Sequence, residues 1–330
     1  MREGIRMFLS FLIVVQNNQT KLMKTLLSIK EQTSDDYEIV LIDDSGFQPK
    51  SPLLEFMNEC FYNNIGKQIQ VITNLRSQGF SYGINTAISI AQGDFFMIVD
   101  EGQTIHKTAV AVLKEKVEAY QVEHKKVDML EFRLHYTNSK EKSEIWNKCN
   151  VLLSPKTNKE VLAYVNCSLF TKIFRRNLIL QKNITLLNYR RTDTFFIYNA
   201  LVYTGEYVAI KDVLVDYELG IVNYSVFDLI KQWIYIFNLY RDLNLYREYQ
   251  EELEYAFIRF CLVTFLEIVS LQNNKRLSIK AIHSAENKLE RRYKSFMKNK
   301  YLKNVKEPQF KMIVADIKGF IKHWKLENTK

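Results

Sequence analysis

The chain has 330 residues, 47% of them hydrophobic, with 21 Phe and 19 Tyr but only ten Gly and four Pro. That composition excludes a disordered or fibrous polymer and leaves room for one large domain, or a large and a small one. Its four cysteines (Cys60, Cys149, Cys167, Cys261) stand far apart without a C-x-x-C, which excludes a disulfide framework or zinc module and predicts buried, reduced thiols.

In chain order, Met7 to Val15 is a nine-residue apolar run behind two arginines. Gln-Asn-Asn-Gln follows it rather than small residues, so it reads as a buried strand and not as a secretion signal. Next come a helix over 18–33 with Leu22, Leu26 and Ile29 at helical spacing, and a strand over 37–46 that ends in Asp43-Asp44. A helix over 52–61, a strand over 67–74, a helix over 81–93 and a strand over 94–102 complete the alternation. Unbroken apolar strands alternating with helices predict an α/β fold with a mostly parallel sheet covered on both faces. Ligands of such sheets bind beyond the carboxyl ends of the strands, where Asn17, Asp43, Asp44 and Asp100 fall.

A helix over 107–123 and a strand over 127–136 follow, then a polar excursion over 138–150. Residues 165–179 and 193–205 read as helices, and 206–219 as a closing pair of strands. From 221 onward the pattern is helical, which predicts domains at 1–220 and 221–330. The apolar stretch 255–271 carries Arg259 and Glu267 and falls short of a membrane span, so it is expected to be a core helix. Near the end, Phe310, Ile313, Ile317, Phe320 and Trp324 recur every three or four residues, with lysines on the other faces.

The net charge of +9 is concentrated in this last region: residues 275–330 hold sixteen Lys/Arg against five Asp/Glu. A basic tail suits a polyanionic neighbour or a solvated helical face. No nucleic-acid module is recognisable, so nucleic acid is not expected as a partner.

Several segments together resemble the family 2 glycosyltransferases of GT-A fold, especially the bacterial enzymes that build cell-surface polymers such as teichoic acids. "SFLIVVQN" stands where that family has its first strand, and "LLSIKEQTSDDYEIVLIDDSG" is similar to its second strand with a paired acid. "NLRSQGFSYGINTAISIAQGDFFMIVD" is similar to the segment ending on its fourth strand. "FTKIFRRNLI" and "RTDTFFIYNAL" resemble its later helices, so the likeness covers about residues 8–218.

The resemblance implies a Rossmann-like nucleotide-diphospho-sugar transferase, with a UDP-linked donor, inversion and a hexosyltransferase type as the expectations. It implies nucleotide-sugar contacts from Val15, Asn17, Asp43, Asp44, Asn85 and Asp100, and a general base at Asp193. The family's D-x-D becomes Asp100-Glu101-Gly102, with Gly102 where the main cation ligand belongs. A Mg²⁺ or Mn²⁺ ion would therefore depend on Asp100, with Glu101 a weaker second ligand. Cationic side chains are the other means of neutralising a diphosphate, with Arg175, Arg176, Arg190 and Arg191 as candidates beside Lys172. Further departures are Val14 and Gln16 on the first strand, Ile84 before Asn85, and Thr192 before Asp193.

Two readings of function stay open on this basis. One is a transferase acting on a hydroxyl of a cell-surface glycan or polymer precursor. It would be cytoplasmic, and both a peripheral contact at the inner membrane face through its basic end and a homo-oligomer are open to it. The other is a catalytically impaired GT-A-like partner of another glycosyltransferase.

Overall fold

A computed structural model describes residues 7–16, 19–46, 52–61, 68–121, 125–138, 148–188, 191–222, 224–290, 296–305 and 307–328. The chain divides into two compact units, 1–157 with 168–218, and 158–167 with 219–330.

The first unit opens with β1 (Leu9–Val15), α1 (Gln19–Lys30), β2 (Tyr37–Asp43), α2 (Pro52–Phe61), β3 (Ile69–Thr73), α3 (Phe80–Ile90) and β4 (Phe95–Val99). β5 (Thr104–Ile105), α4 (Ala109–Tyr120), β6 (Val127–Tyr136) and β7 (Leu152–Leu153) follow. After α5 (Glu160–Tyr164), which belongs to the second unit, come β8 (Lys172–Arg175), α6 (Arg176–Gln181), α7 (Asp193–Tyr203) and β9 (Glu206–Tyr217).

The nine strands form one sheet in the order β3-β2-β1-β4-β8-β6-β9-β5, with β7 also on β9. β3, β2, β1 and β4 run parallel, whereas β8 is antiparallel to both its neighbours, so the sheet is mixed. Every residue of β1, β2 and β4 is buried. Successive strand side chains point to opposite faces, so both faces of this part are covered. α3 lies close on β1: a Cβ at Gly83 would stand 2.7 Å from a Val14 methyl. Val14 and Ile84, two departures from the family pattern, are thus buried packing residues.

The expected helix over 165–179 is instead a turn, then strand β8, then the short α6. Here Lys172 is fully buried and pairs with buried Glu131 of β6 at 3.0 Å, so the centre of a sheet accepts it. The expected pair of strands over 206–219 is one strand. Lys211 and Asp212 fall where the register against β6 shifts, which absorbs the irregularity without ending the strand.

The second unit is helical: α5, then α8 (Val226–Asp242), α9 (Gln250–Arg259), α10 (Phe265–Ser270), α11 (Lys275–Glu290), α12 (Lys300–Lys303), α13 (Pro308–Ala315) and α14 (Ile317–Glu327). Trp233 of α8 forms its centre, with Phe237, Phe257 and Phe260 rings at 6.0, 5.5 and 5.7 Å. The stretch expected as a core helix is α9 and α10, joined by a π-helical turn over Phe260–Thr264. The last amphipathic run breaks at Asp316, whose side chain caps α14 by accepting the Gly319 N–H at 2.8 Å. Among the described residues no helix is long and apolar enough to cross a membrane.

Candidate active site at the carboxyl ends of the parallel strands

The parallel run delivers four strand tips to one rim: Val15 and Gln16, Asp43 and Asp44, Thr73 and Asn74, Val99 and Asp100. The ladder continues to the tips, with Asp44 N–H donating to Val15 O at 2.9 Å and Asn74 N–H to Asp43 O at 2.8 Å. Val15 thus contributes its carbonyl to the ladder and buries its side chain. Asn17 lies outside the described residues, as does Arg190.

The paired acids of β2 have different surroundings. Asp43 accepts the Ser45 N–H at 3.1 Å and the Ser45 hydroxyl at 2.5 Å, both on Oδ1, which curls the chain out of the strand. Asp44, 2% exposed, accepts four donors: Asn74 Nδ2 at 2.7 Å, Ser77 Oγ at 2.8 Å, Gln78 N–H at 2.7 Å and Gly79 N–H at 2.8 Å. A carboxylate offers about four acceptor positions, so Asp44 is saturated by its own chain. It fixes the loop 74–79 that leads into α3, and this gives it a structural task where a nucleotide contact was expected.

α3 then links the rim to the expected base. Phe80, its first residue, carries the Arg191 guanidinium over its ring at 4.0 Å. Arg191 in turn forks Asp193, with Nε to Oδ1 at 3.1 Å and Nη2 to Oδ2 at 2.6 Å. One turn farther along α3, the Asn85 side chain donates to Leu186 O at 2.8 Å and accepts the Leu186 N–H at 2.9 Å. Thr192 Oγ1 accepts the Leu187 N–H at 3.0 Å. Asn85 therefore holds the loop that leads to Asp193, and its amide is engaged by backbone rather than aimed at a nucleotide. Asp193 stands in the first turn of α7, where the helix dipole favours a carboxylate.

Asp100 follows the last residue of β4. Its Oδ2 accepts the Tyr217 hydroxyl at 2.8 Å, and its N–H donates to Gln103 Oε1 at 3.1 Å. Gln103 is fully buried, and its Nε2 has no acceptor among the described residues. The backbone turns directly after the strand, with Gly102 at φ +95° and its N–H on Thr25 Oγ1 of α1 at 3.0 Å. Glu101 is directed back to the first strand, where it accepts the Gln16 N–H at 3.0 Å.

These residues do not make a protein-held cation site. An acid at position 102 would need a backbone conformation that L side chains rarely adopt, and its Cβ would meet Lys21 Cδ at 3.2 Å. Glu101 is engaged with β1, and the orphan atom beside Asp100 is an amide donor, which cannot ligate a metal. Among the described residues no group of three or more His, Cys, Asp or Glu could hold an ion. Asp100 is the carboxylate of this turn that is placed for one.

Two of the expected phosphate-binding arginines lie at the wrong end of the sheet. β8 runs antiparallel to β4, pairing Arg175 with Phe95 at the start of β4, and the Arg176 N–H donates to Asp94 O. Five residues at about 3.3 Å each separate that end from the Asp100 rim, on the order of 16 Å. Arg175 instead meets Asp128 at 3.1 Å and stacks over Phe95 at 4.9 Å, and Arg176 donates to Ile88 O at 3.3 Å.

Tyr217, Gln103, Thr25 and Lys21 were not singled out from sequence. Nor was Asp216, which faces His106 Nε2 at 3.0 Å and His135 Nδ1 at 2.8 Å and so ties β6 and the β5 turn to β9. Tyr217 and Asp100 are 117 positions apart, and only the sheet order brings them together. Thr25 and Lys21 carried a usable signal: they lie on one face of α1, four residues apart.

Comparison with known proteins agrees with this fold. The sequence model described as Glycosyl transferase family 2 matches residues 10–179. No curated protein matches the chain. Among solved structures, residues 1–349 of S. aureus TarS in complex with UDP-GlcNAc superpose with a TM-score of 0.58 at 16% identity, over 88% of this chain and 92% of that one. Against a longer S. aureus TarS chain the TM-score is 0.56 at 17% identity, and only 53% of that chain is covered. The Pyrobaculum calidifontis mannosyltransferase PcManGT, with GDP-Man and Mn²⁺, gives 0.52 at 11% identity, covering 98% of this chain and 87% of that one. Identities this low establish a shared fold, while the family match spans more than half of the sequence; the chain belongs to glycosyltransferase family 2.

Proposed function

We propose that the chain transfers a sugar from a nucleoside-diphosphate sugar, UDP-linked, to a hydroxyl of a cell-surface glycan or polymer precursor. The observation that carries this reading is the tie through α3, which couples the rim loop fixed by Asp44 to the Arg191–Asp193 pair. The UDP-GlcNAc bound in the TarS neighbour supports a UDP-linked donor. In the reaction Asp193 accepts the proton of the acceptor hydroxyl as that oxygen attacks the anomeric carbon in line, and the nucleoside diphosphate leaves on the opposite side with inversion. The Arg191 fork takes two of about four lone-pair positions on the carboxylate and leaves the others for the hydroxyl. Arg191 thereby fixes the carboxylate's orientation, and the Phe80 ring fixes Arg191.

The basic residues of 275–330 support a contact of the helical unit with an anionic acceptor or with acidic lipids at the cytoplasmic membrane face. Turnover of UDP-sugars with extracted surface polymers as acceptor tests the reading. Asp193→Asn is expected to lower kcat by about 10²- to 10⁴-fold with donor affinity kept. Full activity in that variant would refute the assignment of the base. Nucleotide binding without turnover in the unmodified protein would favour a non-catalytic partner of another glycosyltransferase.

A further inference from the structure

We propose that Lys21 takes the place of the missing cation-binding acid, its ammonium binding the diphosphate of the donor so that nucleotide binding needs no divalent metal. The inference rests on the reading of the rim as a nucleotide-sugar site. It begins at Gly102, whose φ of +95° strains any L side chain and whose outer face is already covered by α1. The Lys21 stem covers that position, with its Cδ, Cγ and Cβ 3.2, 3.5 and 3.6 Å from where a glycine Cβ would stand. A cation-bearing side chain therefore lies along the turn where the family places an anionic one.

Three further observations agree. Thr25 Oγ1 holds the Gly102 N–H at 3.0 Å, so the turn and the helix carrying Lys21 are fixed to each other. Lys21 is in the first turn of α1, where the helix dipole adds to the positive potential. The buried Gln103 Nε2 beside Asp100 is a donor without an acceptor among the described residues, and such an atom cannot ligate a metal ion. Lys21 thus supplies a donor where the family's acids would supply acceptors. Asp100, held by Tyr217, is left to orient the sugar or ribose rather than to anchor an ion.

Calorimetry with UDP, in EDTA and in MnCl₂, tests this on the full chain and on Lys21→Met. Lys21 is exposed, so the variant is expected to unfold at the same temperature as the parent. The parent is expected to bind UDP in EDTA within about threefold of its affinity in MnCl₂. Lys21→Met is expected to lose about 10- to 100-fold in either buffer, the size of one charge-assisted contact. UDP binding that requires Mn²⁺, or binding in EDTA that Lys21→Met does not weaken, would overturn the inference and leave the transferase reading standing. Failure of UDP, GDP and CDP to bind in either buffer would overturn both.

Discussion

Replacing Asp44 by Ala separates a structural carboxylate from a ligand-binding one. The side chain is 2% exposed and accepts four hydrogen bonds, two of them from the Gln78 and Gly79 amides. Hydrogen bonds to a charged acceptor contribute about 1.5–3 kcal/mol each. The Asn74 and Ser77 donors belong to a half-exposed loop and can re-pair with water, so they contribute least. The two amides stand at the entry to α3 and lose acceptors that only loop opening replaces. The expected cost is about 2–4 kcal/mol, together with loosening of the Phe80–Arg191 stack that the loop positions. Urea denaturation measures the stability, and hydrogen exchange at Gln78 and Gly79 measures the loop. Asp44→Asn should recover less than half of the loss, because its amide nitrogen would face two donors. A loss under about 0.5 kcal/mol with both amides still protected would refute the structural role. A fall in UDP affinity alone would return Asp44 to direct nucleotide contact.

Other outcomes follow from the same structure. Lys172→Met strands Glu131 in the sheet, where it pairs with Lys172 at 3.0 Å and adds to the burial that pushes the Tyr207 phenol well above its ordinary range. The expected loss is about 3–5 kcal/mol by denaturation, and adding Glu131→Met should recover much of it; no recovery would argue against a paired charge. A Cβ at Gly93 would stand 2.5 Å from Ser10 Oγ and 2.8 Å from Ser10 N, so Gly93→Ala should cost about 1–3 kcal/mol, and a neutral result would mean that β1 yields more than this packing allows. Tyr217→Phe removes the hydroxyl on Asp100. It is expected to lower kcat/KM for the donor by about tenfold with the unfolding temperature unchanged within a few degrees, and unaltered kinetics would remove Tyr217 from the site.

The parallel half of the sheet was legible because each buried strand is an unbroken apolar run ending in a polar tip, and the spacing of those tips defines the rim. β8 was not legible, because it is short and opens on a lysine whose partner lies 41 positions away on β6. For the site, sequence located Asp44, Asn85 and Asp193 but could not tell ligand contact from loop fixation. That distinction depends on which donors surround a carboxylate, and those of Asp44 come from a loop about thirty residues on. Arg175 and Arg176 were placed near the base by their closeness in sequence. An antiparallel strand carried them to the other end of the sheet.

The central claim is that the strand-tip rim binds a nucleotide sugar beside Asp193. Hydrogen exchange with and without UDP-GlcNAc, read peptide by peptide over the whole chain, tests it most directly. The predicted result is protection at residues 14–16, 43–46, 74–79 and 100–103, and at 191–194 where Arg191 and Asp193 lie. Protection confined to 219–330, or none at any UDP- or GDP-sugar concentration up to millimolar, would contradict it.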